Sequence, residues 1–538
     1  MRKAIRIKDP LYDYIEINDS QIYEILNSPE FHRLKDIIQT SYSSVYPSSL
    51  HNRFIHSIGV YYLGTLAVSG IKKNNAENLS PNFNEYSRVF LLACILHDIG
   101  HAPFSHTGED FYEVKKSEKT SVLREKLVEK VADEIFSVDF FKTNPGAPHE
   151  VMSALLGINL FEKYIKSENK SYFARCIIGL KYDDKKDIRN CFIELLNSKT
   201  IDVDKLDYLL RDSYFSGFKS FNIDYIRLLS STCILQSKNF CELGFTKAAL
   251  STLESVILAH DMERKWLQCH PVILYENKLV SSLLYLAIEE YASYGIDLFS
   301  IDALTQEGLK GKNENGTYKE IRLLSDSDII NTVKSQYSAP LVREYFDRSI
   351  RRKGLWKSES EYRLLFENKK ITLHQLVIGM DFIKKIFDNY PNNKGFPLIN
   401  EDLLKYYEKE LAKAKKINEI KIGKLKNIAS EKIEKLNVTY DFLRRIKEYT
   451  EKIGCDFNFV FIINKQFNSK FNEDELKHIK IKIKDEMVEL QNAITLFSKS
   501  TTKEKCFYIY CSKDDYEKID VKKFSNFIAS LIFNFNED

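Results

Sequence analysis

The chain has 538 residues, of which 44% are hydrophobic and 29% charged, and its formal net charge at pH 7 is +3. This ordinary globular composition can bury a sizeable core, and the length predicts one large domain with an accessory lobe, or two to three domains. The small net charge excludes a strong global field for nucleic acid, so an anionic substrate has to be held by local cations.

The amino-terminal sequence and the cysteines argue against secreted and membrane proteins. The opening MRKAIRIKDPLYDYIEI lacks the apolar core of a signal peptide, and no apolar run approaches the roughly 18 to 20 residues needed to cross a bilayer. Nine cysteines are scattered without a CxxC pair, which predicts reduced core residues rather than a disulfide framework or a thiolate zinc site. We therefore expect a cytoplasmic protein with no membrane partner.

Residues 20–290 carry apolar side chains at helical spacing. Examples are QIYEILNSPEFHRLKDIIQ, VMSALLGINLFEKYI and ALSTLESVILAHDMERKWL, and Gly and Pro fall mainly between such segments. Residues 301–325 are polar and contain glycine, which predicts a surface insertion, and LSDSDIINTV then restarts a helix behind a serine or aspartate cap. We assign residues 1–300 to a mainly α-helical core and 301–400 to its continuation around this insertion.

The pattern changes towards the end of the chain. Residues 401–452 are rich in Lys and Glu, which favours a solvated helix or helical hairpin over the alternative, an arm that binds nucleic acid. FNFVFIIN and KCFYIYCS are short apolar, β-branched or aromatic runs typical of strands. Residues 453–538 are therefore predicted to form a small α+β lobe.

Histidines are concentrated near the amino terminus. Seven of the eleven lie between His32 and His149, a span of little more than a fifth of the chain. Metal or phosphate chemistry is the leading explanation, because imidazole and carboxylate ligands together suit divalent cations such as Zn, Fe, Mn, Ni or Co.

Three segments supply ligands of this kind in order. His56 lies in the amphipathic run HNRFIHSIGVYYLG, and His97 and Asp98 end the next apolar helix, where Gly100 interrupts the ladder. Two successive side chains at such a helix end can converge on one ion. The segment IDVDKLDYLLRDS offers a fourth ligand, although alone it is typical of a capped, salt-bridged helix.

Four ordered blocks of sequence then carry a family resemblance. They are FHRLKDIIQTSYSSVYPSSLHNRFIHSIGVYYL, LACILHDIGHAPFSHTGE, HEVMSALL and IDVDKLDYLLRDS. Together they resemble the HD superfamily of metal-dependent phosphohydrolases, in its deoxynucleoside triphosphate triphosphohydrolase branch. The resemblance covers residues 25–290 well, extends more weakly through RRKGLWK and the last lobe, and implies a mainly α HD-domain core. It implies four metal ligands: His56, His97, Asp98 and Asp204.

The resemblance also implies proton-transfer and phosphate-binding roles for histidines. His106 would be the general acid, oriented by Glu109, where the animal members have aspartate. His101 would contact a phosphate and His149 would lie along the triphosphate. An imidazole suits proton transfer because its pKa lies near ambient pH. For His149, a helix cap is the alternative.

Seven residues match substrate-binding positions of the family: Gln39, Arg53, Lys205, Tyr208, Asp212, Tyr275 and Lys278. Arg53 and Lys205 match phosphate contacts, an ion pair with an acid being the alternative for Arg53. Tyr208 and Asp212 follow the metal ligand by four and eight residues on one helical face, towards the deoxyribose and its 3′-hydroxyl. Gln39 matches a sugar contact, Tyr275 a contact near the sugar or base, and Lys278 could reach a phosphate. Asn277 stands where the family usually has histidine.

The implied reaction is hydrolysis of a deoxynucleoside triphosphate to deoxynucleoside and inorganic triphosphate, with Mn, Fe, Mg, Zn, Ni or Co as cofactor. By resemblance we also expect a homo-oligomer, a nucleotide activator, and a role in nucleotide-pool control, with pool depletion in phage defence as a variant. One alternative is an HD hydrolase acting on another nucleotide or on nucleic-acid ends. Another is a non-enzymatic nucleotide sensor or nucleic-acid-binding module.

Overall fold

The computed structural model describes residues 5–76, 79–112, 121–218, 222–366, 373–420, 424–465, 478–483, 486–490 and 505–534. The chain divides into two compact units. The first comprises Met1–Arg264, Leu286–Ser335 and Ser469–Thr501, and the second comprises Lys265–Tyr285, Gln336–Asn468 and Thr502–Asp538. The structure is mainly α-helical with small sheets, as the sequence predicts.

The first unit contains most of the helices. Its α-helices are α1 Ser20–Leu26, α2 Pro29–Arg33, α3 Arg53–Asn74, α4 Phe83–Leu96, α5 Val122–Val131, α6 Glu134–Thr143, α7 Pro148–Leu160, α8 Lys170–Ile178, α9 Arg189–Leu196, α10 Val203–Ser216, α11 Tyr225–Ser230 and α12 Leu250–Glu263. Helix α13, Pro271–Ala292, contributes residues to both units, and α14, Asp326–Lys334, belongs to the first. Short 3-10 turns of this unit lie at Leu34–Asp36, Tyr42–Ser44, Ser105–Thr107, Glu109–Tyr112, Ser167–Asn169, Lys247–Ala249 and Ile301–Leu304. A π-helical turn, Arg264–Gln268, has its first residue in the first unit and the others in the second.

The strands of the first unit form two hairpins and one larger sheet. They are β1 Ile5–Asp9, β2 Asp13–Ile17, β3 Thr232–Gln236, β4 Cys241–Thr246, β5 Leu309–Lys312, β6 Tyr318–Ile321, β10 Lys480–Ile483 and β11 Glu486–Glu489. Of the surface insertion predicted at residues 301–325, residues 309–321 form the antiparallel hairpin β5–β6, whereas Ala303, Leu304 and Leu324 are buried. Strands β10 and β11 extend the β3–β4 hairpin, with β10 parallel to β4.

The second unit contains the remaining elements, namely β7 Lys353–Gly354, β8 Leu398–Ile399, β9 Phe459–Lys465, β12 Lys505–Cys511, α15 Pro340–Phe346, α16 Glu359–Phe366, α17 Leu373–Asp388, α18 Glu401–Ile420, α19 Lys424–Lys452, α20 Lys513–Lys518 and α21 Val521–Asn534. Both predicted carboxy-terminal strands are confirmed as β9 and β12, which pair antiparallel in the sheet β7-β12-β9-β8.

The compact units cross the boundaries predicted at residues 300, 400 and 452. Residues 265–285 join the second unit, whereas β10 and β11 join the first although they lie within 453–538. The charged helices α18 and α19 are not fully solvated, because Tyr407, Phe442 and Ile446 on their inner faces are buried in the core of the second unit. Each unit is built from segments that are distant in the chain. Because these segments meet only through strand pairing and burial, no local sequence pattern marks the boundaries of the units.

Helix α3 is the central helix of the first unit. Contrary to the sequence expectation, it is long and apolar enough to cross a membrane by length and composition, with a mean hydropathy of 1.4 over its best 18-residue window. However, 67% of that window is buried inside the protein, and α3 packs against α4 and α10. It is therefore a core helix. The nine cysteines are free, and eight of them are buried, as the sequence predicts.

Two helix ends place the histidines and acids of the site. The buried run Val89–Leu96 ends α4, and Gly100 follows where α7 approaches: a Cβ there would lie 2.4 Å from the Ser153 nitrogen. The Gly100 N–H instead donates to Ser153 Oγ at 2.9 Å. Helix α10 is capped by Asp202, whose side chain accepts the Lys205 N–H, as the sequence predicts.

Candidate active site

Two histidines and two aspartates from three helices converge in the first unit. His56 Nε2 lies 3.0 Å from Asp204 Oδ1 and 3.4 Å from His97 Nε2. Asp98 completes the group, with one oxygen 3.5 Å from His56 Nε2 and the other 3.4 Å from His97 Nε2. The structure thus brings together all four residues that the sequence nominates as metal ligands.

The chemistry of this metal-ligand cluster fits a divalent cation. Ions that bind nitrogen and oxygen at about 2.1 Å hold neighbouring ligand atoms about 3.0 to 3.4 Å apart, close to the distances here. Two neutral imidazoles and two carboxylates balance a charge of +2. His97 Nδ1 faces the Cys94 carbonyl at 2.9 Å, and because a carbonyl only accepts, Nδ1 carries the proton and Nε2 is left to bind metal.

Asp207 orients His56 in the same way and was not selected from the sequence. Its carboxylate lies 2.7 Å from His56 Nδ1 and accepts hydrogen bonds from Tyr12 Oη at 2.6 Å and Arg211 Nε at 2.9 Å. Burial opposes ionisation, but Arg211 and His56 lower the pKa of Asp207 to about 2. A Cβ on Gly59 would lie 1.9 Å from Asp207 Oδ1, so glycine is needed there. The spacing of four residues between Asp207 and Arg211, which is typical of an ion pair on one helical face, was the sequence signal that could have identified Asp207.

Arg53 ties the metal-ligand cluster to two loops. Its guanidinium donates to Asp98 Oδ2 at 2.8 Å, to Ser105 Oγ at 3.0 Å and to the Gln39 carbonyl at 3.3 Å. Burial opposes ionisation of Asp98, but the charge of Arg53 holds its pKa well below the usual range. Arg53 therefore makes the ion pair that was the alternative for it, and its phosphate contact stays a prediction.

Three histidines form a second group beside the first. The ring nitrogens of His101, His106 and His149 lie within 4.8 Å of one another. His101 stacks on His149 with ring centroids 4.1 Å apart, and His101 Nε2 lies 3.2 Å from Asp98 Oδ1. Burial is the main cause that lowers the pKa of His101 well below its usual value, so this ring is neutral. The two histidine groups are therefore joined through Asp98.

Glu109 holds two of these rings. Its carboxylate accepts from His106 Nδ1 at 3.0 Å and from His149 Nδ1. Burial opposes it, but hydrogen bonds from His106 and His149 hold the pKa of Glu109 well below its usual range. Burial likewise opposes protonation of His149, but Glu109 raises its pKa. The His106 side chain is 64% exposed, so its outer nitrogen can reach a ligand.

A further polar group lies around Asp212. His51 Nε2 donates to Asp212 Oδ1 at 2.6 Å, and the His51 ring stacks on Phe215. Both His51 Nδ1 and Gln39 Oε1 are buried and have no hydrogen-bond partner among the described residues. The Gln39 N–H donates to the His51 carbonyl at 3.0 Å, so the groups are adjacent. The sequence analysis selected Gln39 and Asp212 but missed His51. Its presence in HNRFIH, the segment that also contains His56, was the available signal.

Helix α10 also carries Lys205 and Tyr208, the other two substrate-binding candidates on this helix. The Lys205 ammonium donates to the Ser198 carbonyl at 2.7 Å and to Asp202 Oδ2 at 2.5 Å. Burial opposes protonation, but Asp202 raises the pKa of Lys205. Tyr208 lies half-buried one turn after Asp204, and burial raises its pKa well above the usual value. Lys205 is therefore held by the start of its own helix, and its phosphate contact stays a prediction.

Tyr275 and Lys278 belong to the second unit. The buried Tyr275 hydroxyl donates to Glu344 and lies 3.4 Å from an Arg352 nitrogen of the same unit. These contacts account for the buried hydroxyl structurally. The substrate-binding roles of Tyr275 and Lys278 stay predictions.

Part of this site lies in a region that matches a known family model. The family model of the HD domain matches residues 53–177, which include three of the four metal-ligand candidates. An uncharacterized protein of Methanocaldococcus jannaschii is 25% identical over 360 residues, 67% of this chain and 64% of that protein. The deoxynucleoside triphosphate triphosphohydrolase SAMHD1 of Gallus gallus is 29% identical over 316 residues, 56% of this chain and 47% of that enzyme.

Solved structures show the same fold. A phosphohydrolase from Bacteroides thetaiotaomicron is 19% identical, with a TM-score of 0.52 over 94% of this chain and 99% of its own. A hypothetical protein from Aquifex aeolicus is 17% identical, with a TM-score of 0.54 over 97% and 99% of the two chains.

The chain spans only part of the sequence relatives. It covers 64% of the length of the Methanocaldococcus jannaschii protein and 47% of the length of the Gallus gallus enzyme.

Proposed function

We propose that this chain, whose residues 53–177 match the HD-domain model, hydrolyses deoxynucleoside triphosphates to deoxynucleoside and inorganic triphosphate. One observation carries the proposal: an exposed His106, held by Glu109, belongs to a histidine group that contacts Asp98, and Asp98 lies with His56, His97 and Asp204 in a cluster suited to a divalent ion. Similarity to the Gallus gallus triphosphohydrolase supports the choice of substrate class.

The metal-ligand cluster would hold the cofactor, which we propose to be Mn, Fe, Mg, Zn, Ni or Co. A bound divalent ion polarises a phosphoryl oxygen and lowers the pKa of bound water. The residues around it serve to keep the ligands in place. Asp207 and the Cys94 carbonyl fix the His56 and His97 rings, and Arg53 balances the charge of Asp98.

His106 is proposed to protonate the leaving alkoxide. Because Glu109 accepts from Nδ1, the second ring nitrogen is the one available to the substrate. A general acid donates its proton from that nitrogen. His149 shares Glu109 and adds positive charge beside the phosphates, while the neutral His101 lies between it and Asp98. His101 thus contacts Asp98 of the metal-ligand cluster and lies beside the His106 and His149 rings.

The polar group around Asp212 is proposed to bind the deoxyribose. Asp212 is held by His51, and the buried Gln39 Oε1 is available to accept a hydrogen bond from a sugar hydroxyl. Tyr208, one turn before Asp212, would pack against the sugar carbon that lacks a hydroxyl. We extend the proposal to a homo-oligomer with a nucleotide activator that controls the nucleotide pool, including its depletion during phage infection.

The test begins with metal-free protein restored with Mn, Mg, Fe, Co, Ni or Zn. Each deoxynucleotide is supplied alone and mixed, and products are separated by ion-exchange chromatography. Asp98→Ala removes a metal-ligand candidate, and His32→Ala is the matched control because it removes an exposed imidazole outside both histidine groups. We expect deoxynucleoside plus inorganic triphosphate from the wild type and His32→Ala, and none from Asp98→Ala.

Other outcomes separate the alternatives. Release of monophosphate or cleavage of another nucleotide, lost in Asp98→Ala, would replace the substrate class and keep the metal-dependent hydrolase. Binding of metal and nucleotide without turnover in any mixture would favour a nucleotide sensor.

A further inference from the structure

The loop between His101 and His106, within the second histidine group, has an unfavourable backbone. Phe104 and Ser105 lie directly before His106 and have φ values of +58° and +52°. Side chains with a Cβ avoid this left-handed region because the Cβ crowds the following carbonyl, and two such residues in succession need external support. The direction in which His106 leaves the loop depends on this turn.

Asp326, more than 200 residues later in the chain, supplies part of that support. Its Oδ1 accepts the Phe104 N–H at 2.7 Å, and its Oδ2 accepts the Ile38 N–H at 2.9 Å. The Ser105 hydroxyl donates to the Ile38 carbonyl at 2.5 Å and accepts from Arg53 Nε at 3.0 Å. The carboxylate therefore joins two loops that both border the site.

Arg33 makes a second set of contacts with the same segment. The buried Arg33 guanidinium donates to the Leu324 carbonyl at 2.8 Å, two residues before Asp326. It also donates to the carbonyls of Ile99 at 2.7 Å and His101 at 2.9 Å. The start of α14 is thus held, both through Arg33 and through Asp326, to the loop of residues 97–106 after α4, here called the histidine loop.

We infer that Asp326 is a positioning residue of this site: by accepting both loop N–H groups, it holds the strained turn that sets His106 against Glu109. It touches no metal-ligand candidate, and its action passes through the Phe104 and Ile38 backbones. The kinetic consequence rests on the proposed function, whereas the effect on the loop does not.

The charge of Asp326 matters because only the carboxylate can accept from both N–H groups with both oxygens. Burial raises the pKa of Asp326 to about 7, the negative charge of Asp36 adds to this, and the Phe104 and Ile38 N–H groups and Arg33 oppose it. Asp328, a second acid in the first turn of α14, instead accepts hydrogen bonds from Ser325. Since the pKa is raised, protonation weakens the support as the pH falls through about 7, and ionisation restores it as the pH rises.

The experiment compares Asp326→Asn with Asp328→Asn in the metal-loaded full chain. Asp328 is the matched control because it caps the same helix through Ser325 and contacts neither loop among the described residues. Hydrogen–deuterium exchange is followed in peptides covering residues 37–39 and 99–108. We expect faster exchange of both peptides in Asp326→Asn only, and kcat lower by about ten- to a hundredfold with little change in KM.

The pH profile adds a readout that a purely structural role would not change. The ratio of wild-type to Asp326→Asn activity should rise between about pH 6 and pH 8, because the amide does not ionise. If Asp326→Asn does not fold, Asp326→Glu replaces it, and the displaced carboxylate should speed exchange of the same two peptides.

Equal exchange in the Asn variants of positions 326 and 328 would overturn the inference, as would equal loss of kcat. If no protein in the series turns over a deoxynucleotide, the proposed function fails. The exchange comparison then still decides whether Asp326 holds the loop.

Discussion

At the scale of single residues, the site depends on side chains that act on other side chains. His56 and His97 present Nε2 to the metal-ligand cluster because Asp207 and the Cys94 carbonyl take up Nδ1. Glu109 does the same for His106 and His149. The residues proposed to bind metal or move protons are therefore only part of the arrangement, and the acceptors behind them can be tested separately.

The first prediction concerns Asp207. Asp207→Asn should weaken metal binding by about ten- to a hundredfold, because the amide no longer holds His56 Nδ1 with a negative charge. Competition against a chromophoric chelator measures the affinity. Tyr12→Phe is the matched control, since it removes one hydrogen bond to Asp207 and leaves the His56 contact intact. An affinity lowered equally in both variants would contradict this role for the charge.

The second prediction concerns the pH dependence of the Glu109–His149 pair. The lowered pKa of Glu109 stabilises the fold above about pH 4.5, and this contribution is lost as the pH falls. The raised pKa of His149 stabilises it below about pH 6.5, and this contribution is lost as the pH rises. Glu109→Gln should therefore lose most stability, relative to wild type, between these two values.

Urea unfolding across this pH range measures the difference, and a histidine NMR titration should show the pKa of His149 lowered in Glu109→Gln. Asp183→Asn, a change at an exposed acid, is the control and should leave both measurements unchanged. A stability difference that does not vary with pH would show that the two groups are not coupled.

At the scale of elements, the close approach of α3 and α10 builds the metal-ligand cluster. Gly59 on α3 leaves space for the Asp207 carboxylate of α10, which a Cβ would approach to 1.9 Å. The histidine loop after α4 is likewise shaped by Gly100 against α7. Small residues at helix crossings therefore determine whether ligands from different helices reach one point.

The third prediction follows from this crossing. Gly59→Ala should destabilise the protein by about 1 to 3 kcal/mol and reduce metal binding, because the added methyl displaces the Asp207 carboxylate. Gly64→Ala lies on the same helix, and its methyl would meet the Cys94 sulfur at 3.0 Å, which needs a smaller shift. Thermal unfolding and chelator competition compare the two. Equal metal affinity in both variants would contradict the steric argument.

At the scale of the whole molecule, the candidate metal ligands all belong to the first compact unit. The second unit is built on its own core around the sheet β7-β12-β9-β8, to which the charged helices α18 and α19 contribute buried side chains. A ligand that binds only the folded form of one unit stabilises that unit by mass action.

The fourth prediction uses this division. A divalent ion at about 100 times its Kd should stabilise the first unit by about 2.7 kcal/mol, seen as a higher unfolding temperature in calorimetry. Asp98→Ala should abolish the shift, while His106→Ala, outside the metal-ligand cluster, should keep it. A shift that persists in Asp98→Ala would place the ion elsewhere.

The sequence by itself determined the helical class of the core, the strands β9 and β12, the capped starts of α10 and α14, and His56, His97 and Asp98 as candidate metal ligands. The family resemblance selected Asp204 as the fourth. These features follow from short-range patterns: apolar spacing, capping residues and ordered histidine and aspartate motifs leave a local trace. The family resemblance added roles for the substrate-facing residues, and those roles are still predictions.

Only the tertiary structure decided the remaining features. Asp207, His51 and Asp326 act through contacts with residues more than 150 positions away, and the pairing of β10 with β4 joins equally distant segments. An acid in a helix has the same local pattern whether it caps that helix or holds a distant histidine. Its role is set by which segments pack together, and that depends on the balance of burial and hydrogen bonding over the whole chain.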